Sequence, residues 1–431
     1  MLPSRTLLPI GLAVLCAAAL LGFLWWQIVS SGAVLLRAEN GNDALSNTTT
    51  VIAQENIDPR DQALLKLREG DLFALQGEWM EAKAAYEGAV DAGGGLAALR
   101  KLAQAQMQVR DVRSARLTVE QMKRAGAREE DLLLLESIIM LRTGELQKTR
   151  QILSTALDSP QKHYASALLA IVEGNHEAAQ TELKDVEAGW EPVLRTYARS
   201  LQAAYDEYAL FPESPDIHLV TLLARALAQV QECELALPLL GQVTTKQADY
   251  RDAWIIQGFC ELTTQRTDQA MLSLERAYAL DPEKPEIQYF LARAYAAQGN
   301  HQNALTFFQY ALRNGFEPQK DVRQLIAREA MQLGDADAAL EQQQALVSMS
   351  DADIASYDAY VTMAIVLGKH EEAYVKGHEA VEKWPKDAKA YDLLGQAALA
   401  TGRTDEAKQA WQRALEINPA LATAKEGLKK L

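Results

Sequence analysis

The chain has 431 residues, of which 48% are hydrophobic and 23% charged, a composition that excludes a mainly disordered protein and can supply a large core. Its formal net charge of -15 and isoelectric point near 5.0 exclude a general nucleic-acid binder, because phosphate binding needs a basic surface. Three cysteines exclude a disulfide-rich scaffold. Cys233 and Cys260 are the one pair outside the apolar N-terminal run, and we expect them to remain unbonded, since disulfides are uncommon outside small secreted frameworks.

The first predicted element is an apolar run at the N-terminus. Residues 6–36 contain no charged side chain, and within residues 11–29 the single polar side chain is Gln27. The hydrocarbon core of a bilayer needs about 20 such residues in helical form. Trp25 and Trp26 suit the aromatic belt at a membrane interface. Residues 1–36 are therefore predicted to form a single-pass transmembrane anchor.

Two other interpretations of this run stay open. A cleaved signal peptide could be cut at Ser31-Gly32-Ala33, although its apolar region is usually about 7–15 residues. A lipoprotein site at Cys16 is disfavoured, because Leu15 stands where that motif has a small residue. The charges flanking the run favour a cytoplasmic N-terminus, which predicts an extracytoplasmic repeat domain on the periplasmic or extracellular side. Residues 37–61 are polar and without helical period, and are predicted to be a flexible linker.

From about residue 63 onward the sequence repeats. Residues 391–419 contain two apolar-periodic segments of helical length, which are separated at Gly402 and closed by Asn418-Pro419. The same layout occurs at residues 357–385, 254–282 and 288–318. A fixed period of 34 residues is typical of an array of helix-turn-helix units.

The residues at fixed places in these units resemble the tetratricopeptide repeat. Three units carry the resemblance most clearly: Tyr391, Leu394, Gly395, Ala407, Trp411, Ala414 and Pro419; Trp254, Gly258, Ala270, Ala277 and Pro282; and Gly70, Phe73, Gly77, Ala82, Tyr86 and Ala89. The resemblance implies an all-α fold, a right-handed solenoid of helix-turn-helix repeats. It also implies a protein-binding function rather than an enzyme.

The period predicts where each unit begins. Units are expected near residues 63, 96, 130, 160, 191, 217, 251, 285, 320, 354 and 388. We predict degenerate repeats over 62–216, a regular array over 217–421 and a capping helix over 422–431. The unit near 191 departs from the pattern, because the next unit follows after 26 residues and the sequence FPESPD (211–216) interrupts it.

Small residues at the eighth and twentieth places predict close helix contacts. A small residue on the first helix of a unit, helix A, and an alanine on the second, helix B, let the two helices approach, while a bulky residue at the twenty-fourth place fills the remaining space. On this pattern Gly258 and Ala270 are expected to face each other.

Arginine recurs at the ninth place of helix A. The segment LARAYAAQGN (291–300) contains one of the four. The resemblance implies that this place lines a concave groove and holds ligands. The predicted ligand-binding residues are Arg199, Arg225, Arg293, Arg328, Tyr289, Gln324, Phe259 and Thr221. Guanidinium groups beside aromatic rings favour a carboxylate or an acidic peptide, with Arg293 exposed. The alternative is that these arginines pair with acidic side chains of adjoining helices.

No catalytic or metal-binding motif stands out. His176, His301 and His370 share the seventeenth place of their units, on separate repeats, and are not expected to converge on a metal. We therefore predict no cofactor and no metal. The sequence favours a membrane-tethered scaffold or assembly factor that binds a protein or peptide, including one with acidic or C-terminal carboxylate groups, through a groove between about residues 191 and 350. The alternatives are an enzyme or enzyme subunit with a site in residues 96–216, and a structural tether that forms oligomers.

Overall fold

The computed structural model describes residues 58–211 and 213–431. Within these residues the chain forms 22 α-helices and no strand, which confirms the all-α prediction. The predicted anchor, residues 1–36, and most of the predicted linker lie outside the described residues. None of the described helices is both long enough and apolar enough to cross a bilayer.

Twenty of the helices form ten successive pairs, joined within each pair by a short turn. The pairs are α1 (Pro59–Gln76) with α2 (Trp79–Asp91), α3 (Gly95–Gln108) with α4 (Val112–Arg124), α5 (Glu129–Arg142) with α6 (Leu146–Thr155), α7 (Pro160–Glu173) with α8 (His176–Ala188), α10 (Asp216–Gln229) with α11 (Cys233–Lys246), α12 (Arg251–Thr263) with α13 (Thr267–Leu280), α14 (Pro285–Ala297) with α15 (His301–Arg313), α16 (Gln319–Gln332) with α17 (Ala336–Val347), α18 (Ile354–Val366) with α19 (His370–Lys383), and α20 (Ala388–Ala400) with α21 (Thr404–Ile417). The remaining two are α9 (Pro192–Ala209) and α22 (Ala422–Lys429). All predicted unit starts except the first lie within one residue of an observed helix start.

The described residues form two compact units, which divide between Leu280 and Asp281. Inside each unit, successive helices pack against each other along the chain. The predicted division at residues 216 and 217 concerned the regularity of the repeats and stays a prediction.

Glycines on helix A mark the closest helix contacts. A Cβ atom built on Gly70 would lie 2.4 Å from the ring of Tyr86, and one on Gly395 would lie 2.6 Å from the indole of Trp411. On Gly258 it would lie 2.5 Å from Cγ of Leu274. The bulky residue at the twenty-fourth place therefore covers the glycine directly. Ala270, at the twentieth place, is fully buried on helix B, and its position opposite Gly258 stays a prediction.

The turn after helix A usually places glycine in the left-handed backbone region, as Gly299 does with a φ of 74°. In three turns the residue with positive φ is not glycine: Arg110 has a φ of 63°, Gln231 of 66° and Gln265 of 60°. A residue with a Cβ atom pays roughly 1–2 kcal/mol for this conformation. Two of these three turns meet in space, as described below.

The irregular unit near residue 191 contains one helix instead of two. Helix α9 is 18 residues long and packs against α8 before it and α10 after it. Residues 210–215 separate α9 from α10, and no second helix intervenes among the described residues. Because α9 is not followed by a helix B, α10 packs directly on α9. Helix α11 also contacts α5 in the same unit.

Helix α22 is the last helix of the second unit. Its buried Gly427 lies against the indole of Trp411, and Lys425, Glu426 and Lys429 are exposed. A polar outer face of this kind is what a terminal repeat needs for solubility.

Candidate functional site

In the first unit, one of the two predicted groove arginines is engaged by a neighbouring helix. Arg225 is half-buried and forms an ion pair with Glu207 on α9. Arg199 is exposed, whereas Thr221 and Phe259 are buried. For Arg225 the structure thus shows the alternative raised by the sequence, a pairing with an adjoining helix.

In the second unit, the arginine of LARAYAAQGN is buried. Arg293 is 7% exposed, and its guanidinium carbon lies 5.8 Å from the ring centre of Tyr289. The expectation that Arg293 would be exposed is wrong. Tyr289 is itself fully buried and stacks on Phe316 with ring centres 4.2 Å apart. Burial raises the pKa of the Tyr289 hydroxyl, with the positive charge of Arg293 acting in the opposite direction. Arg293 and Tyr289 therefore belong to the core of this unit.

Helix α16 keeps two predicted residues accessible. Gln324 is exposed, and the side chain of Arg328 is 26% exposed. Nε and Nη2 of Arg328 donate to Oε1 of Glu329 at 3.1 and 2.9 Å. The other oxygen of Glu329 lies 2.8 Å from Nδ1 of His301. Arg328 is thus oriented by a buried carboxylate while part of its side chain reaches the surface.

Exposed side chains continue along the helix A faces of two successive repeats. Met331 on α16 is 47% exposed and follows Gln324 and Arg328 at helical spacing, so that the three share one face. On α18, Thr362 is exposed and Val366 is 79% exposed, again four residues apart. These five residues define what we call the α16–α18 face. It combines polar groups and one partly exposed guanidinium with two accessible apolar side chains.

The densest group of buried charges lies elsewhere, in the first unit. Arg142, at the end of α5, donates from Nε and Nη2 to the two carboxylate oxygens of Glu232 at 2.8 and 3.0 Å. Arg110, in the turn between α3 and α4, donates to Oε2 of Glu234 at 2.9 Å and to the carbonyl oxygen of Gln231 at 2.7 Å. We call Arg110, Arg142, Glu232 and Glu234 the clasp. It joins the turns of two early repeats to the turn between α10 and α11.

The clasp is buried and internally compensated. The side chains of Arg142 and Glu232 are each 7% exposed, and those of Arg110 and Glu234 are each 12% exposed. Burial lowers the pKa of Arg142, but the charge and hydrogen bonds of Glu232 outweigh burial, so the net shift is upward. Burial and the negative charge of Glu232 raise the pKa of Tyr164 on α7. Arg110 and Arg142, the two clasp residues within the 96–216 segment considered for an enzyme site, are engaged in structural ion pairs.

Sequence reasoning missed the clasp, although a local pattern marks it. Most units place glycine in the turn after helix A, as in RTGEL and VEGNH, but the corresponding segments QVRDV and QVQEC do not. These segments contain Arg110 and Gln231, the two left-handed residues that meet in space. The absence of glycine at this place in three repeats was the available sign, although it could not show which two of these turns meet.

A disulfide lies beside the clasp. Cys233, between the two clasp glutamates, is bonded to Cys260 on α12, with Cα atoms 5.0 Å apart, a usual disulfide spacing. The expectation that these cysteines would remain unbonded is wrong. The bond ties the first turn of α11 to the next repeat.

One further ion-pair cluster brings a histidine and carboxylates together. The ligand atoms of His163 on α7 and of Glu182 and Asp185 on α8 all lie within 4.8 Å of one another. Nδ1 of His163 is 2.7 Å from Glu182, and Nε2 is 3.1 Å from Asp158. The sequence did not single out these residues, whose spacing matches no metal motif.

Comparison with known families agrees with the repeat geometry. Sequence models of the tetratricopeptide repeat match residues 221–285, 262–315 and 388–421. The chain contains tetratricopeptide repeats over these residues. Repeats of this family mediate protein–protein interaction, and its members bind other proteins or peptides and are generally scaffolds without catalytic activity.

Individual relatives of this tetratricopeptide repeat protein match over limited regions. The small glutamine-rich tetratricopeptide repeat-containing protein 2 of Mycosarcoma maydis is 37% identical over 62 residues, which cover 14% of this chain and 18% of that protein. The chain therefore spans about a fifth of that curated relative.

Solved structures show similar repeats at low identity. YrrB, described as having an unusual peptide-binding site, is 19% identical with a TM-score of 0.38, covering 44% of this chain and 98% of YrrB. A tetratricopeptide repeat protein of Parabacteroides merdae is 17% identical with a TM-score of 0.33, covering 63% and 97%. PilW, a type IV pilus biogenesis factor, is 14% identical with a TM-score of 0.36, covering 50% and 99%. All three TM-scores are below 0.5, and the family assignment rests on the sequence matches.

Proposed function

We propose that this chain is a membrane-tethered scaffold that binds a protein or peptide through the α16–α18 face. The observation that carries the proposal is the run of accessible side chains on the helix A faces of two successive repeats. Helix A is the helix that lines the ligand groove in the tetratricopeptide family, as the sequence resemblance implies. Of the predicted residues, Arg225 is paired with Glu207 and Arg293 is buried. We therefore place the proposed contact surface on α16 and α18.

The chemistry of the face indicates the kind of partner. The partly exposed guanidinium of Arg328 favours a carboxylate, from an acidic side chain or a chain terminus. Met331 and Val366 offer accessible apolar area on the same two helices. The proposed partner is therefore a peptide segment that combines an acidic group with an apolar side chain.

Two further observations support an extracytoplasmic location. The uncharged run at residues 6–36 has the length of a membrane anchor. The disulfide between Cys233 and Cys260 is of a kind that persists in oxidising compartments and is rare in the cytosol. Together they favour a repeat domain held outside the cytoplasm by an N-terminal anchor.

A charge substitution on the proposed face tests the proposal. Val366→Asp places a negative charge on α18 beside the acidic partner, at a side chain that is 79% exposed and adds little to the core. Val375→Asp is the matched control, since Val375 is 53% exposed on α19, helix B of the same repeat.

The readout is capture of cross-linked partners from membranes with the full chain, followed by affinity measurement on the partner found. We expect Val366→Asp to weaken binding by roughly tenfold or more and Val375→Asp to leave it unchanged. Equal affinity of both variants would exclude the α16–α18 face.

A further inference from the structure

The first repeat exposes an apolar face that the last repeat does not have. On α1, Leu64, Leu65, Leu72 and Leu75 are 48%, 54%, 61% and 85% exposed. The end of the second unit is instead covered by the polar outer face of α22. Terminal repeats normally carry a polar face toward solvent. The exposed leucines of α1 therefore indicate that another molecule or surface covers this face.

The four leucines lie on one side of the helix. At about 100° per residue they fall within an arc of about 100°. Ala63 and Gly70, on the other side of α1, are buried, and Leu67 packs with the core around Tyr86. The leucine face is thus separate from the side that holds α1 in the first unit.

The size of this face argues against a second copy of the chain as its occupant. Four partly exposed leucines on one 18-residue helix amount to a patch of a few hundred Å². A stable, specific interface buries about 800 Å² on each partner. The leucine face alone is too small for such a dimer.

The position of α1 in the chain favours a lipid surface. The 21 residues 37–57 separate the predicted anchor from α1, and a chain of that length reaches at most about 70 Å. A helix tethered within that distance is kept near the bilayer. Its leucines flank the exposed Arg68, and an arginine at such a place can extend its charge toward lipid phosphates while its stem lies on apolar surface.

We propose that the leucine face of α1 lies on the lipid bilayer and so fixes the first unit at the membrane surface. The proposal rests on the membrane tether of the proposed function. It adds a second contact with the membrane, made by a helix that lies along the surface rather than crossing it. Such a contact would set the orientation of the first repeats relative to the bilayer.

Spin-label accessibility in the full chain tests this contact. The chain carries Cys16→Ser, so that the disulfide leaves no free thiol, and is reconstituted in vesicles of phosphatidylcholine and phosphatidylglycerol. A label at Leu72→Cys probes the leucine face. A label at Leu272→Cys is the control, because Leu272 is 66% exposed on α13. Leu65→Cys repeats the measurement if the first variant folds poorly.

We expect the label on α1 to be several-fold more accessible to oxygen, relative to a water-soluble nickel chelate, than the control label. Water-like accessibility at both positions would overturn the proposal. Spin–spin broadening between labels on α1 would also overturn it, by showing that a second copy covers the face.

An alkaline carbonate wash separates this proposal from the tether itself. A chain that stays with the vesicles and has a water-like label on α1 refutes the leucine contact alone. A chain that is washed off refutes the membrane tether, and the leucine contact with it.

Discussion

Removing Arg142 should destabilise the first unit more than removing any exposed arginine would. The substitution Arg142→Ala takes away both nitrogens that bind the carboxylate of Glu232, which is 7% exposed. It also removes hydrogen bonds to the carbonyl oxygens of Met107 at 3.2 Å and Gln231 at 3.3 Å. A negative charge would remain buried without its principal partner.

The expected magnitude follows from that uncompensated charge. Breaking a buried ion pair by removing one partner costs about 3–5 kcal/mol, because the remaining charge keeps its desolvation penalty. The exposed pair of Arg128 with Asp131 gives the scale for comparison, since Arg128 is 72% exposed and pairs at 3.0 Å. Solvent screens pairs of this kind, so that they contribute much less than a buried pair. Arg128→Ala is therefore the matched control.

Hydrogen exchange of backbone amides is the suitable assay, because repeat arrays need not unfold in one step. A loss of 3–5 kcal/mol should accelerate exchange in α5 and α11 by at least a hundredfold, with α16 and α18 unchanged. The double variant Arg142→Leu with Glu232→Leu should recover most of the loss, since it removes both charges of that pair and leaves Arg110 paired with Glu234. If Arg142→Ala and Arg128→Ala give the same exchange rates, the clasp does not hold the first unit together.

Three other predictions follow from local geometry. Gly395→Ala should lower the free energy of unfolding by about 1–3 kcal/mol, because the added Cβ would overlap the indole of Trp411. Gly241→Ala is the control: its Cβ would have no atom within 4 Å, so the substitution should stabilise the helix by roughly 0.5–1 kcal/mol. Thermal melting of the two variants compares these effects. Thiol titration of the denatured, unreduced chain should find one free thiol, that of Cys16. Mass spectrometry should find the peptides of Cys233 and Cys260 linked, whereas three free thiols would contradict the proposed oxidising location. Burial raises the pKa of Asp353, but hydrogen bonds from a lysine and a serine outweigh burial and hold the pKa at about 2. Asp353→Asn should therefore be less stable than the unsubstituted chain at neutral pH, and this difference in stability should vanish as the pH falls from about 4 to 2. A difference in stability that stays constant across that range would refute the prediction.

The repeat layout could be predicted because it is encoded locally. Each helix A and helix B carries its own apolar period, and glycine or proline marks the ends, so unit starts such as 251, 285 and 388 needed no knowledge of distant contacts. The single helix at 192–209 was also visible, as a shortened spacing. What the shortened spacing could not show was that one helix of the pair is missing and that α10 takes its place against α9.

The environment of individual arginines could not be predicted in the same way. The ninth place of helix A is shared by Arg225, Arg293 and Arg328, yet the first pairs with α9, the second lies in the core and the third reaches the surface. The burial and pairing of each arginine depend on neighbouring side chains such as Glu207 and Glu329, and the repeat period does not specify these neighbours. The clasp and the disulfide depend on the path of the whole first unit and were beyond local reasoning.

The clasp also changes how the first unit reaches its folded state. Contacts in a repeat array usually join neighbours, so folding can begin at any repeat and spread along the chain. The hydrogen bonds of Arg142 and Arg110 instead join residues 89 to 124 positions apart. Closing a loop of that length rather than one repeat costs about 1 kcal/mol more in chain entropy, and high contact order slows folding. The first unit should therefore fold late and as a whole, since its longest-range contacts can form only after the intervening helices have packed.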